Sequence, residues 1–138
     1  MHDQERKPDL YTVIDEDNIA WLHLDRQESG TNVLSAAVLE HFYDELLDIT
    51  ERSPRGLVIV SDKKNGFVAG ADVREFTTLD NHDQALTAIQ RGQEVFDRLA
   101  ALPFPSVALI HGFCLCGGLE MSLACRYRIA RDDVSTRL

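Results

Sequence analysis

The chain of 138 residues is poor in positive charge, with 14 lysines and arginines against 23 aspartates and glutamates and a formal net charge of −9. A nucleic-acid-binding domain needs a basic stripe, and a membrane-surface anchor needs a polybasic cluster, so this balance argues against both. Cysteine is scarce: Cys114, Cys116 and Cys125 make an odd count without framework spacing. That excludes a disulfide scaffold and fits a reducing compartment. Cys114-x-Cys116 has His111 nearby but no fourth ligand at zinc-site spacing, so no metal is expected. Long apolar runs are also missing. The best candidate, Val107 to Leu119, is broken by His111, Gly112, Gly117 and Gly118, and a membrane span needs about 18 apolar residues in a row. The start, MHDQERKPDL, is charged and lacks the apolar stretch of a secretory signal. There is no internal repeat, low-complexity tract or linker. The expectation is one α/β domain over residues 1–138, in the cytoplasm, with neither nucleic-acid nor membrane partners.

What is present is enough apolar material for a core: 44% of residues are hydrophobic and 27% charged, so disorder is not expected. Leu10–Ile14 and Ile19–Leu24 read as strands around the turn Asp15-Glu16-Asp17-Asn18. The second alternates Ile19, Trp21 and His23 with Ala20, Leu22 and Leu24, which predicts cover on both faces. Ser35 is placed to cap a helix to about Thr50, with Val38, Phe42, Leu46 and Ile49 on one face. Pro54 stops it. Leu57–Val60 and Val107–Ile110 read as buried strands, and Tyr127–Ala130 as another. Between them, about Asp83 to Leu102 reads as a helix with Leu86, Ile89, Phe96 and Leu99 inward, closed by Pro103 and Pro105. Strands alternating with helices imply a largely parallel sheet. Residues Arg131 to Leu138 read as a charged loop with no closing helix, which suggests a truncated domain.

Two loops carry residues suited to chemistry. The first is Asn65-Gly66-Phe67-Val68-Ala69-Gly70-Ala71-Asp72-Val73-Arg74-Glu75-Phe76. Small residues at 69–71 allow close approach to the backbone, and Gly70 is free to take positive φ. Asp72 and Glu75 have the spacing of a helix cap and its reciprocal partner. A tight turn into a short helix accounts for this stretch equally well, with the Ala69 N–H still free for an oxyanion. The second loop runs from His111 through Gly117-Gly118-Leu119-Glu120 to Cys125, leaving a strand and entering a helix at a glycine pair. Helix N-termini present unpaired N–H groups and partial positive charge. Glu120 falls in that first turn among Leu119, Met121 and Leu123. It is either a carboxylate favoured by the helix dipole or a half-buried general acid/base. Two backbone donors from separate loops, converging on a carbonyl beside a carboxylate, make one device.

The run Gly66 to Phe76 resembles the first signature of the crotonase (enoyl-CoA hydratase/isomerase) family. Pro105 to Gly112 followed by Gly117 to Cys125 resembles the second, and Thr31-Asn32-Val33-Leu34-Ser35 is similar to the turn before that family's first helix. The order and spacing match over nearly the whole chain. Ser61 to Phe67 and Gly117 to Glu120 are most similar to family members forming the amino-terminal domain of multifunctional fatty-acid-oxidation subunits, where a hydroxyacyl-CoA dehydrogenase domain follows.

The resemblance implies the amino-terminal part of a spiral of ββα units and an acyl-CoA thioester substrate, coenzyme A being part of that substrate and not a separate cofactor. It implies an oxyanion hole at the N–H groups of Ala69 and Gly117. Coenzyme A and substrate would contact Val68, Gly70, Ala71, Asp72 and Gly118. Glu120 matches the first of two family glutamates that hold water and exchange protons with the acyl chain. The second, and the helices covering the acyl pocket and building the trimer, are expected beyond Leu138. The implied function is hydration of trans-2-enoyl-CoA to 3-hydroxyacyl-CoA, with isomerisation possible, in fatty-acid β-oxidation, as a homo-oligomer or within a fatty-acid-oxidation complex. The alternative is a catalytically incomplete acyl-CoA-binding or assembly fragment. Cys116 departs from the family, standing where many members carry glycine. Elsewhere bland roles are expected: a structural His111, a packed His23, a solvated Lys63-Lys64 turn, and a Ser122 without a His/Asp partner.

Overall fold

Asp15 shows how the chain's turns are built: its carboxylate accepts from the N–H groups of Asp17 and Ile19 and from the Trp21 indole, each at 2.9 Å. This closes the hairpin of β1 (Leu10–Ile14) and β2 (Ile19–Leu24), which pair antiparallel with Leu10 opposite Leu24. The computed structural model describes residues 7–78 and 80–138; the first six, part of the charged start, lie outside the described residues. The Ser35 hydroxyl caps α1 (Ala36–Arg52) by accepting from the Val38 N–H, and the helix buries Val38, Phe42, Leu46 and Ile49, as their spacing predicts. It ends at Ser53, in the left-handed region with φ 51°, before Pro54.

β3 (Gly56–Ser61) and β4 (Gly66–Val68) lead through a 3₁₀ turn (Val73–Thr78) into α2 (His82–Ala100). β5 (Ser106–Ile110), β6 (Phe113–Cys114) and α3 (Gly117–Ala124) follow, then β7 (Tyr127–Ala130). The order is thus three successive ββα units and a last strand. One sheet runs β1-β2-β3-β5-β7, parallel except for the hairpin, while β4 and β6 pair in a second, two-stranded sheet. The core fills the space between the larger sheet and α1, with Phe42, Leu22, Ile59 and Met121 fully buried.

Three expectations are corrected. β2 buries Ala20, Leu22 and Leu24, but Ile19, Trp21 and His23 are only partly covered, so its cover is complete on one face alone. His23 packs as expected, its ring stacked on Tyr11 at 4.7 Å, but it also reaches outside its own strand: its Nδ1 lies 2.7 Å from the Asp62 carboxylate, to which Tyr11 donates at 2.6 Å. In α2 the inward residues are Val95 and Leu99, with Phe96 partly buried. Leu86 and Ile89 are 44% and 55% exposed, and Ile89 borders a cleft. The segment after β7 docks: the Cys114 N–H donates to the Arg137 carbonyl at 2.7 Å and the Arg137 N–H to that of Gly112 at 2.8 Å.

The ends of the strands are gathered by a buried amide. The Asn32 Nδ2 group donates to the carbonyls of Leu24 (3.1 Å) and Phe67 (3.0 Å) and to the Ser61 hydroxyl (2.9 Å). Its Oδ1 accepts from the Arg26 N–H at 3.0 Å. Three strands, β2, β3 and β4, therefore meet on one side chain. Asn32→Ala leaves the Leu24 and Phe67 carbonyls without this donor, which costs about 1–3 kcal/mol. The urea unfolding midpoint should fall accordingly.

Candidate active site

Leu34, the loop after β4 and the start of α3 border a cleft of about 800 Å³, flanked on its other sides by α1 and α2. The loop after β4 is tied to residues 32–34 by backbone bonds. The Ala69 N–H donates to the Asn32 carbonyl at 2.9 Å, the Leu34 N–H to the Gly70 carbonyl at 2.7 Å, and the Asp72 N–H to the Leu34 carbonyl at 3.1 Å. This corrects the expectation for Ala69, whose N–H is consumed in holding the loop. Leu34 and Ala71 form an isolated parallel bridge. In such a bridge the flanking residues' groups bond to Leu34, and the Ala71 N–H points the other way.

That other side is the amino-terminal end of α3. A Cβ placed on Gly117 would stand 3.7 Å from the Ala71 nitrogen and 3.8 Å from the Gly70 Cα. The Gly118 N–H is taken by the Leu115 carbonyl at 2.8 Å and the Glu120 N–H by that of Cys116 at 3.0 Å. Gly117, the first residue of the helix, is one of the positions that have no intrahelical acceptor. Among the described residues neither Ala71 nor Gly117 has a backbone acceptor for its N–H. The two free donors brought together are those of Ala71 and Gly117.

The approach of the two loops is set by glycine. Gly70 has φ 128°, and a Cβ there would come within 2.9 Å of the Cys116 Cβ. Gly118 packs directly on β4, where a Cβ would run into the Val68 carbonyl. Val68 is fully buried, and neither it nor Gly118 borders the cleft. The two were expected to contact substrate; what the structure gives them is the packing that seats α3. Gly70, Ala71, Gly117 and Glu120 all border the cleft.

Asp72 also borders the cleft, but its carboxylate faces protein partners. Arg74 donates to it from Nε at 3.0 Å, Nη2 at 2.9 Å and the backbone N–H at 3.2 Å, while Arg26 Nη2 lies at 3.3 Å. These bonds, chiefly from the Arg74 side chain, pull the carboxyl pKa down to about 2. Asp72 therefore acts on the loop's shape and offers substrate no open oxygen. Glu75 does not close the expected reciprocal cap; its carboxylate accepts from the Ala36 N–H at 3.0 Å, bracing the start of α1.

Glu120 sits in the first turn of α3 and faces the cleft, but it is exposed, not half-buried as expected. Among the described residues its carboxylate has no hydrogen bond or ion pair. Cys116, just before Gly117, holds φ 47° and ψ −119° and leaves α3 without a side-chain cap. Its thiol is exposed at the cleft, whereas Cys114 and Cys125 are buried, and burial pushes the Cys125 thiol up to about 11. His111 Nε2 lies 2.6 Å from the Lys63 carbonyl, and Lys63 Nζ pairs with Asp25 at 2.8 Å, so neither faces the cleft. The Ser122 hydroxyl donates to the Leu119 carbonyl at 2.8 Å.

Motif reading names Ala71 as a substrate contact and places Asn32 in a turn, but misses the free N–H of the first and the strand-gathering amide of the second. Residues 69–71 are equally small, and only the bridge to Leu34 shows which N–H turns outward. Asn32 lies in a polar loop before Val33-Leu34, and no spacing rule ties it to strand ends.

The spiral of ββα units with a backbone-lined cleft defines a crotonase-like fold. The chain belongs to the enoyl-CoA hydratase/isomerase family, whose model matches residues 15–137. It is similar to the fatty acid oxidation complex subunit alpha of Aliivibrio fischeri, with 43% identity over 126 residues, covering 90% of this chain and 18% of the relative. The subunit alpha of Vibrio campbellii is similar too, at 44% identity over 91% of this chain and 18% of its own length. An enoyl-CoA hydratase/carnithine racemase from Magnetospirillum magneticum superposes with a TM-score of 0.84 at 28% identity, over 95% of this chain and 48% of that one. The chain thus spans under a fifth of the subunits it matches and about half of the solved chain.

Two outcomes are expected. Cys116→Gly relieves the positive-φ strain and raises stability by about 1 kcal/mol, read as a higher urea midpoint, while Cys116→Ala brings no such gain. The Asp72 carboxyl, followed by carbon NMR, should titrate near 2, below its ordinary 3.8. Because the folded value is depressed, its stabilisation is complete above about pH 4 and is lost as pH falls through 2. In Arg74→Ala its midpoint should move upward.

Proposed function

We propose that the cleft binds an enoyl-CoA thioester and promotes addition of water across its double bond, in fatty-acid oxidation. The observation that carries this reading is the pairing of the Ala71 and Gly117 N–H groups, donors from two different loops adjacent at one end of an apolar cleft. A thioester oxygen between them gains most from these bonds when negative charge moves onto it, so they favour the enolate over the ground state. Hydration forms a bond from water oxygen to C3. The double-bond electrons pass through C2 to the thioester oxygen, and C2 then takes a proton. Glu120 is the group at the cleft mouth able to take the water proton as a carboxylate or return one as an acid. In isomerisation the same enolate is reached by removing a proton from the acyl chain, with Glu120 again the carrier.

Coenzyme A enters as part of the substrate, and the chemistry asks for no further cofactor. The family's name, enoyl-CoA hydratase/isomerase, supports a CoA thioester as ligand class, and the relatives named fatty acid oxidation complex subunit alpha support a larger assembly as setting; the cytoplasm is the compartment we propose for it. A second reading is supported by the exposure of Glu120. A carboxylate open to water is not held against a substrate by any neighbour, and in this reading the 138 residues hold an acyl-CoA without turning it over.

Glu120→Gln in the full-length protein separates the two. Loss of about 10²–10⁴ in kcat for enoyl-CoA hydration, with substrate binding retained, is expected of a general acid/base. Unchanged kcat would remove Glu120 from the chemistry.

A further inference from the structure

Gly92 stands in the middle of α2, a helix of 19 residues. Glycine weakens a helix interior relative to alanine, a cost that close approach of a neighbour would account for. No neighbour requires it here. A Cβ on Gly92 would meet only the Leu39 Cδ1, at 3.9 Å, an ordinary contact. By contrast, Gly118 could not carry a Cβ without striking the Val68 backbone.

What Gly92 faces is the cleft. It borders the same cavity as Ala71, Gly117 and Glu120, with Leu39 on α1 and with Ile89 and Phe96 about one turn away on α2. Ile89 is 55% exposed there although the helix's apolar spacing would bury it. The cavity thus has backbone donors at the α3 end and, along α1 and α2, the apolar Leu39, Ala88, Ile89 and Phe96 beside Arg91, which is paired with Glu40 and Glu94, and Gln93; the apolar stretch suits the hydrocarbon tail of a thioester.

Resting on the reading of this cleft as a thioester site, we propose that Gly92 determines the acyl-chain length the protein accepts. The missing side chain leaves the passage beside Leu39 open to the tail of a long-chain acyl-CoA. A side chain at position 92 fills that passage and shortens the accepted chain.

The test is calorimetric binding of saturated acyl-CoA thioesters of increasing length to the full-length protein, to Gly92→Ala and to Gly92→Leu. Each methylene buried in apolar surroundings is worth about fourfold in affinity. The unmodified protein should gain with length well past a short chain. In Gly92→Leu the long-to-short affinity ratio should fall at least tenfold, with Gly92→Ala intermediate. Alanine favours the helix, so that variant keeps the test open if the leucine variant folds poorly. Length profiles that run parallel in all three proteins overturn the proposal for Gly92 alone. If the unmodified protein binds no thioester better than free coenzyme A, the thioester reading itself falls, and this proposal with it.

Discussion

The buried amide of Asn32 is the interaction on which the site depends. It gathers the Leu24, Ser61 and Phe67 groups at the ends of three strands, and its main-chain carbonyl receives the Ala69 N–H. A buried amide with these bonds unmade would be costly, so the three strand ends and the loop after β4 keep one arrangement. That arrangement puts the Leu34–Ala71 bridge where it is. The bridge in turn decides that Ala71, and not Ala69, presents a free N–H.

Packing supplies the other half. α3 lies against β4 because Gly118 has no Cβ to strike Val68, and Gly70 and Cys116 lie back to back because one of them is glycine. The close fit leaves Cys116 in a conformation that favours glycine, with the strain placed next to the Gly117 donor. Charge steadies the same loop from its outer side. Arg74 and Arg26 hold the Asp72 carboxylate, and the Glu75 carboxylate braces the start of α1. Charged residues within the first signature thus shape the loop, while neutral backbone groups face the cleft.

Much of the fold was legible in the residues. Ser35 and the spacing of Val38, Phe42, Leu46 and Ile49 define α1 and its buried face, because a 3.6-residue period leaves few alternatives. The β-branched runs locate β3 and β5 for a similar reason. Legibility fails in the first half of α2, where Leu86 and Ile89 keep the helical period of core residues but stay exposed, Ile89 at a cleft. Periodicity tells which residues share a face, not what that face meets. At the site, Gly117 and Glu120 were legible from a glycine pair opening a helix. Ala69 was chosen over Ala71 because hydrogen-bond parity in a loop depends on a partner strand far away in the chain.

The sequence by itself determined the order of strands and helices, the caps of α1 and the two glycine-bearing loops, since these follow from local spacing and backbone preference. It also carried enough of both signatures for the family to be read. Only the tertiary structure decided which amides are spent and which are free, which glycines pack and which open space, and how exposed Glu120 is. Each of those depends on contacts between residues dozens of positions apart, and local preference does not encode them.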